Sequence, residues 1–250
     1  LEKVPDLNNL KFTDLSISRQ RKFKNISLKM IVLSERTTDE TKNDIFERIN
    51  RGSDLLKDME YRKGIYTGKF NDFICQLAAD ERFKKLTPIA KWLEKRQEGE
   101  ELLLRFFAFS EWYPKYSDSK GISKQLDEYM RDKNASFDDT MKKEMQHRFE
   151  ITMDFVEKYY PYGFAKNEKA RQVARPYFEA LSVGAYLALK DKENLSVSKE
   201  KAKLLLTDDK FITSVSGRYQ THRAKTIRTR IDYIKEGLLK YGEAVDCRKE

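Results

Sequence analysis

Cysteine is nearly missing from this chain: 250 residues hold only Cys75 and Cys247, far apart and with no histidine clustered near either. That scarcity argues against a disulfide framework or a structural zinc site, and it fits a reducing cytoplasm. Histidine is as rare. His147 and His222 are the only two, and neither has a neighbouring Ser or Cys in a nucleophile arrangement. There is no glycine-rich phosphate loop, no His-x-x-x-His pattern, and no carboxylate pair singled out by spacing. No apolar run approaches the length of a membrane span and nothing resembles a signal peptide, so no membrane partner is expected. Fixed-period repeats, low-complexity segments and obvious linkers are also missing. On its own residues the chain does not declare an enzyme or a metal site.

Charge is abundant. Charged residues make up 36% and hydrophobic residues 39%, which places the chain among polar but foldable globular sequences. Its length allows one large domain or two small ones with ample core. The formal charge is +9, a balance that favours contact with nucleic acid or another polyanion. The 41 acidic residues mixed among 50 basic ones equally describe a Lys-rich protein with a solvated surface.

Read in order, residues 1 to 25 are polar, with a short helix expected around Phe12 to Lys24. Ile26 to Leu33, ISLKMIVL, is apolar and β-branched, and reads as the best strand in the chain. One strand alone leaves an unpaired edge, so its neighbours would have to come from an upstream segment. Thr37 to Asp39 offer caps for a helix carrying Phe46 and Asn50. From Phe70 onward the pattern is helix after helix. Phe73, Ile74, Leu77 and Ala78 form an apolar face, and a second helix is expected with Pro88 in its first turn and Ile89, Trp92 and Leu93 inside.

After Gly99, Glu100 to Trp112 is apolar round most of its circumference through Leu103, Phe106, Phe107 and Phe109, the pattern of a central core helix. Arg105 within it must snorkel to the surface, pair with Glu101 or another acid, or stand at the edge of a phosphate-binding cleft. Further helices are expected over Ile122 to Met130, Phe137 to Tyr160, Arg171 to Lys190 and Ser198 to Leu206, then a last one over about Thr221 to Tyr241. Pro161 to Phe164 supplies a turn. Tyr159, Tyr160, Tyr162 and Phe164 read as core and turn packing or as a base-stacking platform. In the last helical region Arg218, Arg223, Lys225, Arg228 and Arg230 surround a stripe of Ile227, Ile231, Ile234 and Leu238. Such a helix either contacts DNA phosphates or presents an ordinary solvated face.

The stretch from Asp44 to Phe70 organises the rest. Ile45, Phe46 and Ile49 make one stripe, Asn50 and Gly52 suit a helix end, and Ser53 or Asp54 can cap a second helix. Asn50, Arg51, Glu60 and Arg62 would then converge on one helix-loop-helix corner, whether as an ordinary corner or as a site. Phe46-x-x-x-Asn50-x-Gly52, Leu56, Glu60-x-Arg62 and Tyr66-Thr67-Gly68-Lys69-Phe70 resemble the N-terminal domain family of GmrSD-type restriction enzymes. Glu100 to Ala108, EELLLRFFA, is similar to the family's second, more helical signature.

The resemblance implies a mainly α chain: the C-terminal part of a ParB/sulfiredoxin-like α/β nucleotidase unit over residues 1 to 66, then a multi-helix domain over 67 to 250. It implies a parent protein of prokaryotic DNA restriction or phage defence, with an NTP and Mg as cofactor, DNA as partner, and a nuclease domain or subunit. Asn50, Arg51 and Arg62 would hold the nucleotide, Glu60 would orient Arg62 or act in catalysis, and Arg218, Arg223, Lys225, Arg228 and Arg230 would meet nucleic acid. The family's Asp-Gly-Gln-Arg element, associated with nucleotide hydrolysis, is not found. Arg19-Gln20-Arg21 lacks the Asp-Gly. With Leu1 at its start, the chain is expected to be the part of such a protein downstream of that element and inactive alone. The alternative is a non-catalytic module for nucleic acid or a nuclease partner. In the nucleotide reading Asn50→Ala abolishes nucleotide binding; in the alternative, DNA binding by filter retention survives that change.

Overall fold

The structure, a computed structural model, describes residues 5–27, 30, 32, 34, 37–38, 41–42, 45, 56–113, 115–216 and 222–244. It is mainly α, as expected, and divides into two units, Leu1–Gly52 and Ser53–Glu250.

In the first unit, single turns at Pro5–Leu7 and Phe12–Asp14 precede helix α1, Ile17–Lys24. Phe12 and Phe23 pack with ring centroids 5.5 Å apart. The strand expected over Ile26 to Leu33 is not formed at its described positions: Ile26, Ser27, Met30 and Val32 are extended or irregular without a ladder, and their side chains are exposed. The physical reason is the one that made the run conspicuous, since a strand is defined by a paired neighbour. Thr38 caps as anticipated, its hydroxyl accepting the Thr41 N–H at 3.3 Å, and Thr41, Lys42 and Ile45 are helical.

The second unit begins with α2, Asp58–Ile65, and α3, Lys69–Ala78. Contacts therefore place α2 with the helical unit, ahead of the domain boundary expected after residue 66. In α3, Phe70, Phe73, Ile74 and Leu77 recur at three- and four-residue intervals and are all buried. Asp80 caps α4, Glu81–Leu86, through the Phe83 N–H at 2.9 Å. The helix expected to start at Pro88 is reduced to α5, Lys91–Glu94, with Pro88 and Ile89 outside it and Trp92 61% exposed. Gln97, with φ of 62°, turns the chain sharply into α6, Glu98–Trp112, which therefore takes in Gly99.

The remaining elements are α7, Ile122–Ser136; α8, Asp139–Tyr159; α9, Arg175–Asp191; α10, Lys199–Thr207; α11, Asp209–Val215; and α12, Ala224–Tyr241. Asp138, Ser198 and Asp208 each accept a backbone N–H at the start of α8, α10 and α11. Pro176 sits in the first turn of α9, so that helix begins four residues later than expected. Strands β1, Leu195–Ser196, and β2, Glu243–Ala244, close a minimal antiparallel pair with Leu195 opposite Ala244.

Two helices carry the core. Seven residues of α6 from Leu102 to Phe109 are fully buried apolar side chains, and α6 packs against α2, α3, α5, α7 and α9. Its companion α9 packs against α8, α11 and α12. The α9–α12 contact is close because Gly184 faces Ile234: a Cβ there would lie 2.8 Å from the Ile234 Cβ and 3.2 Å from the Ile231 carbonyl oxygen. Gly184→Ala is therefore expected to destabilise the unit by roughly 1–3 kcal/mol through overpacking, despite alanine's better helix propensity. Urea unfolding would show this as a lower midpoint at unchanged slope.

Candidate functional site

On α2, Met59 and Arg62 face inward, three residues apart on one stripe. Arg62 is fully buried, and its guanidinium is engaged on every nitrogen. Nε donates to Asp127 Oδ1 at 2.7 Å, Nη1 to Glu101 Oε2 at 2.5 Å, and Nη2 to the Ser123 carbonyl and hydroxyl oxygens at 3.1 and 2.9 Å. Glu101 passes the pairing on: its Oε1 accepts from Arg105 Nε at 2.7 Å, one turn along α6. Arg105 Nη1 donates to Glu179 Oε1 on α9 at 2.7 Å, and Glu179 Oε2 accepts from Arg230 on α12. A branch adds Arg175, clamped on Glu98 at 2.7 and 2.6 Å.

Four guanidiniums (Arg62, Arg105, Arg175, Arg230) thus face four carboxylates (Glu98, Glu101, Asp127, Glu179) in a balanced, alternating chain through five helices. Alternation is what makes such burial possible, since each desolvated charge meets its opposite at hydrogen-bond distance. Burial pushes the Glu101 carboxyl up, but Arg105, Arg62 and Arg175 pull it further down, so it titrates below its ordinary range. At Asp127 burial prevails over Arg62 and the carboxyl is raised. Arg105 is lowered by burial and raised by Glu101 and Glu179, with the net result upward.

The expected corner is therefore assembled differently. Glu60 does not orient Arg62. Its carboxylate accepts the Lys57 N–H at 2.7 Å and meets Arg96 Nε at 2.9 Å, on another side of α2. Asp127, Glu101 and Ser123, from distant helices, do the orienting. Asn50, Arg51 and the loop between them and Asp54 lie outside the described residues, as does Arg218. Of the residues that the resemblance assigns to holding a nucleotide, the described one, Arg62, has its guanidinium nitrogens taken up by protein partners, and Glu60 is bonded to Lys57 and Arg96. In this arrangement Arg62 has no guanidinium nitrogen left to offer a phosphate.

The basic helix α12 splits in two. Ile227, Ile231, Ile234 and Leu238 form the buried stripe, as anticipated. Arg230 falls within that stripe, three residues after Ile227 and four before Ile234, and is 1% exposed against Glu179. It is no surface cation, because its position on the helix points it into the core. Arg228 is half-buried and donates to the Tyr116 carbonyl at 2.9 Å. Arg223 and Lys225, at the N-terminal end, are exposed. Tyr160 and Phe164 are buried, so that tyrosine cluster is largely core packing.

Sequence patterns did not point to the groove of about 700 Å³ along α8 and α9, where His147, Lys158 and Lys190 stand beside Tyr159 and Tyr186. Arg148 crosses its floor with its guanidinium carbon 5.0 Å from the Tyr186 ring centre, and bonds Ser110 Oγ at 2.9 Å and Glu111 Oε1 at 3.1 Å. For the ion-pair chain, a signal besides Arg105 was Glu179, an acid within the apolar run Tyr177 to Leu189, which marks a buried charge needing a partner. Among the described residues no group of His, Cys, Asp or Glu is placed to hold a metal ion, and no helix is long and apolar enough to cross a membrane. No family model, curated protein or solved structure matches the chain.

Glu101→Gln would strand Arg62 and Arg105 beside a neutral amide and should cost about 3–5 kcal/mol, read as a lower urea midpoint. Acid should erase the difference. With its folded-state value depressed, Glu101 contributes stability that is fully present above its unfolded value of about 4.3 and is lost as pH falls through the folded one. The gap between wild type and Glu101→Gln should therefore narrow steadily below about pH 4 in unfolding titrations.

Proposed function

We propose that this chain is the helical body of a prokaryotic DNA-restriction or anti-phage defence protein of the GmrSD type, and that it works there as a non-catalytic module for DNA, beside a nuclease domain or subunit. The resemblance around Asn50 and Glu60-x-Arg62 supplies the context. In that context an NTP with Mg would serve the parent protein, in a cytoplasmic compartment. The observation that favours a non-catalytic role is the burial of Arg62: every nitrogen of its guanidinium is bonded to protein, so it holds helices together and offers nothing to a phosphate.

Among the described residues of the set, Arg223 and Lys225 are the exposed cations. Placed at the N-cap and in the first turn of α12, with Arg218 a few residues before it in sequence, they suit contact with a DNA backbone. Such contact positions a duplex without reading its bases. Held by a buried ion-pair chain and a tightly packed core, the helical unit would present them on a rigid base.

Duplex binding should weaken in the double variant Arg223→Ala/Lys225→Ala, and the slope of log affinity against log salt should become shallower by about two, at about 0.9 per lost phosphate contact. Unchanged affinity and slope would remove α12 as the DNA surface. Mg-dependent NTP hydrolysis assayed on the same chain should be absent. Turnover that survives purification would return the Asn50 corner to an active site.

A further inference from the structure

Away from the ion-pair chain, a cleft of about 500 Å³ lies between α3, the α4–α5 connection and the first turn of α6. Phe83 and Ile89 give it apolar walls, and Cys75, Thr87 and Glu100 add three different polar groups. Thr87 is 2% exposed, and its Oγ1 has no hydrogen-bond partner. Its backbone cannot turn away easily, because the chain is pinned on both sides: the Leu86 carbonyl accepts the Phe164 N–H at 2.8 Å, and the Pro88 carbonyl accepts the Val173 N–H at 2.9 Å. A hydroxyl held without a partner in the interior is an exception that calls for one supplied from outside the fold.

Glu100 is the second polar group on the cleft wall. It is half-buried, and no ion pair forms at it among the described residues. Burial raises its carboxyl and Glu94 adds to this, while the hydrogen bond from its own backbone N–H and the charge of Lys63 oppose it only partly. The Lys63 ammonium is itself bonded to Gln97 Oε1 at 2.9 Å. Between the walls, Gly99 leaves room: a Cβ there would lie 3.6 Å from both Ile89 Cδ1 and Phe83 Cε1, ordinary contact distance.

We propose that this cleft binds a small molecule with an apolar body and one protonated amine, the body against Phe83 and Ile89 and the amine donating to the Glu100 carboxylate and the Thr87 hydroxyl. An ammonium carries donors and no acceptor, which matches a hydroxyl without a partner and a carboxylate bonded only to its own backbone N–H. A charge-assisted bond in a partly desolvated cleft is the stronger kind. Lys84 at the rim is already bonded to Glu81, and Arg171 at the mouth disfavours a second positive charge on the ligand.

The test uses the full chain carrying Cys247→Ser, so that Cys75 is its only thiol, with benzylamine, benzyl alcohol and benzoate as probes. Alkylation of Cys75 by iodoacetamide is followed by mass spectrometry. Benzylamine at saturating concentration should slow it by about tenfold, benzyl alcohol less, and benzoate not at all. Glu100→Gln should remove the advantage of the amine over the alcohol, and Thr87→Val should weaken protection. Gly99→Ala, which meets only ordinary contacts and so keeps the fold, should reduce protection by filling the space. No protection by benzylamine, equal protection by benzoate, or protection undiminished in both Glu100→Gln and Gly99→Ala would each overturn the assignment. If Glu100→Gln does not fold, Gly99→Ala decides alone.

Discussion

Arg62 can be buried only because Glu101 is buried with it, and Glu101 can be ionised there only because Arg105 stands one turn further along the same helix. Each link in this series creates the requirement for the next. Arg105 needs Glu179, and Glu179 needs Arg230. The result is a polar seam through an otherwise apolar core, and it ties α2 and α9 to α6, α7 to α2, and α12 to α9 at defined positions. Hydrophobic burial has no direction and would tolerate a helix sliding by part of a turn, whereas a guanidinium on a carboxylate would not. The seam therefore sets the register of the helices that the core merely brings together.

The same economy explains where the surface chemistry is left. Cations drawn into the seam, such as Arg62 and Arg230, are unavailable to a ligand. Those that stay outside, Arg223 and Lys225, sit on a helix whose other face is anchored by Ile227, Ile231, Ile234 and Leu238. Rigid anchoring matters for a backbone-binding surface because the positions of the phosphates are fixed by the duplex. The Thr87 hydroxyl, which the packing leaves without a partner, lines a cleft that it shares with Glu100 and that the missing side chain of Gly99 leaves open.

Much of this was legible residue by residue. The apolar circumference of Leu102 to Phe109 marked the central helix, and the three- and four-residue spacing from Ile227 to Leu238 marked the buried stripe of α12. Glu101 was nameable as a partner for Arg105, because i and i+4 share a helix face. Arg230 was misplaced among surface cations although the same spacing puts it on the stripe. Periodicity outweighs charge at that position, because a buried acid 51 residues upstream, Glu179, supplies the counter-charge. The strand expected at Ile26 failed for a related reason, since β structure depends on a neighbour that composition cannot supply.

The amino-acid sequence by itself determined that this is a helical protein, which helices form its centre, and that Arg105 must meet a counter-charge. These follow from local periodicity and from the cost of burying an unpaired ion. Only the tertiary structure decided which carboxylate faces which guanidinium, that Glu60 turns to Arg96 and away from Arg62, and that Thr87 and Glu100 share one cleft. Those pairings join residues tens of positions apart. Their geometry arises from how helices cross, and no spacing along one helix encodes it.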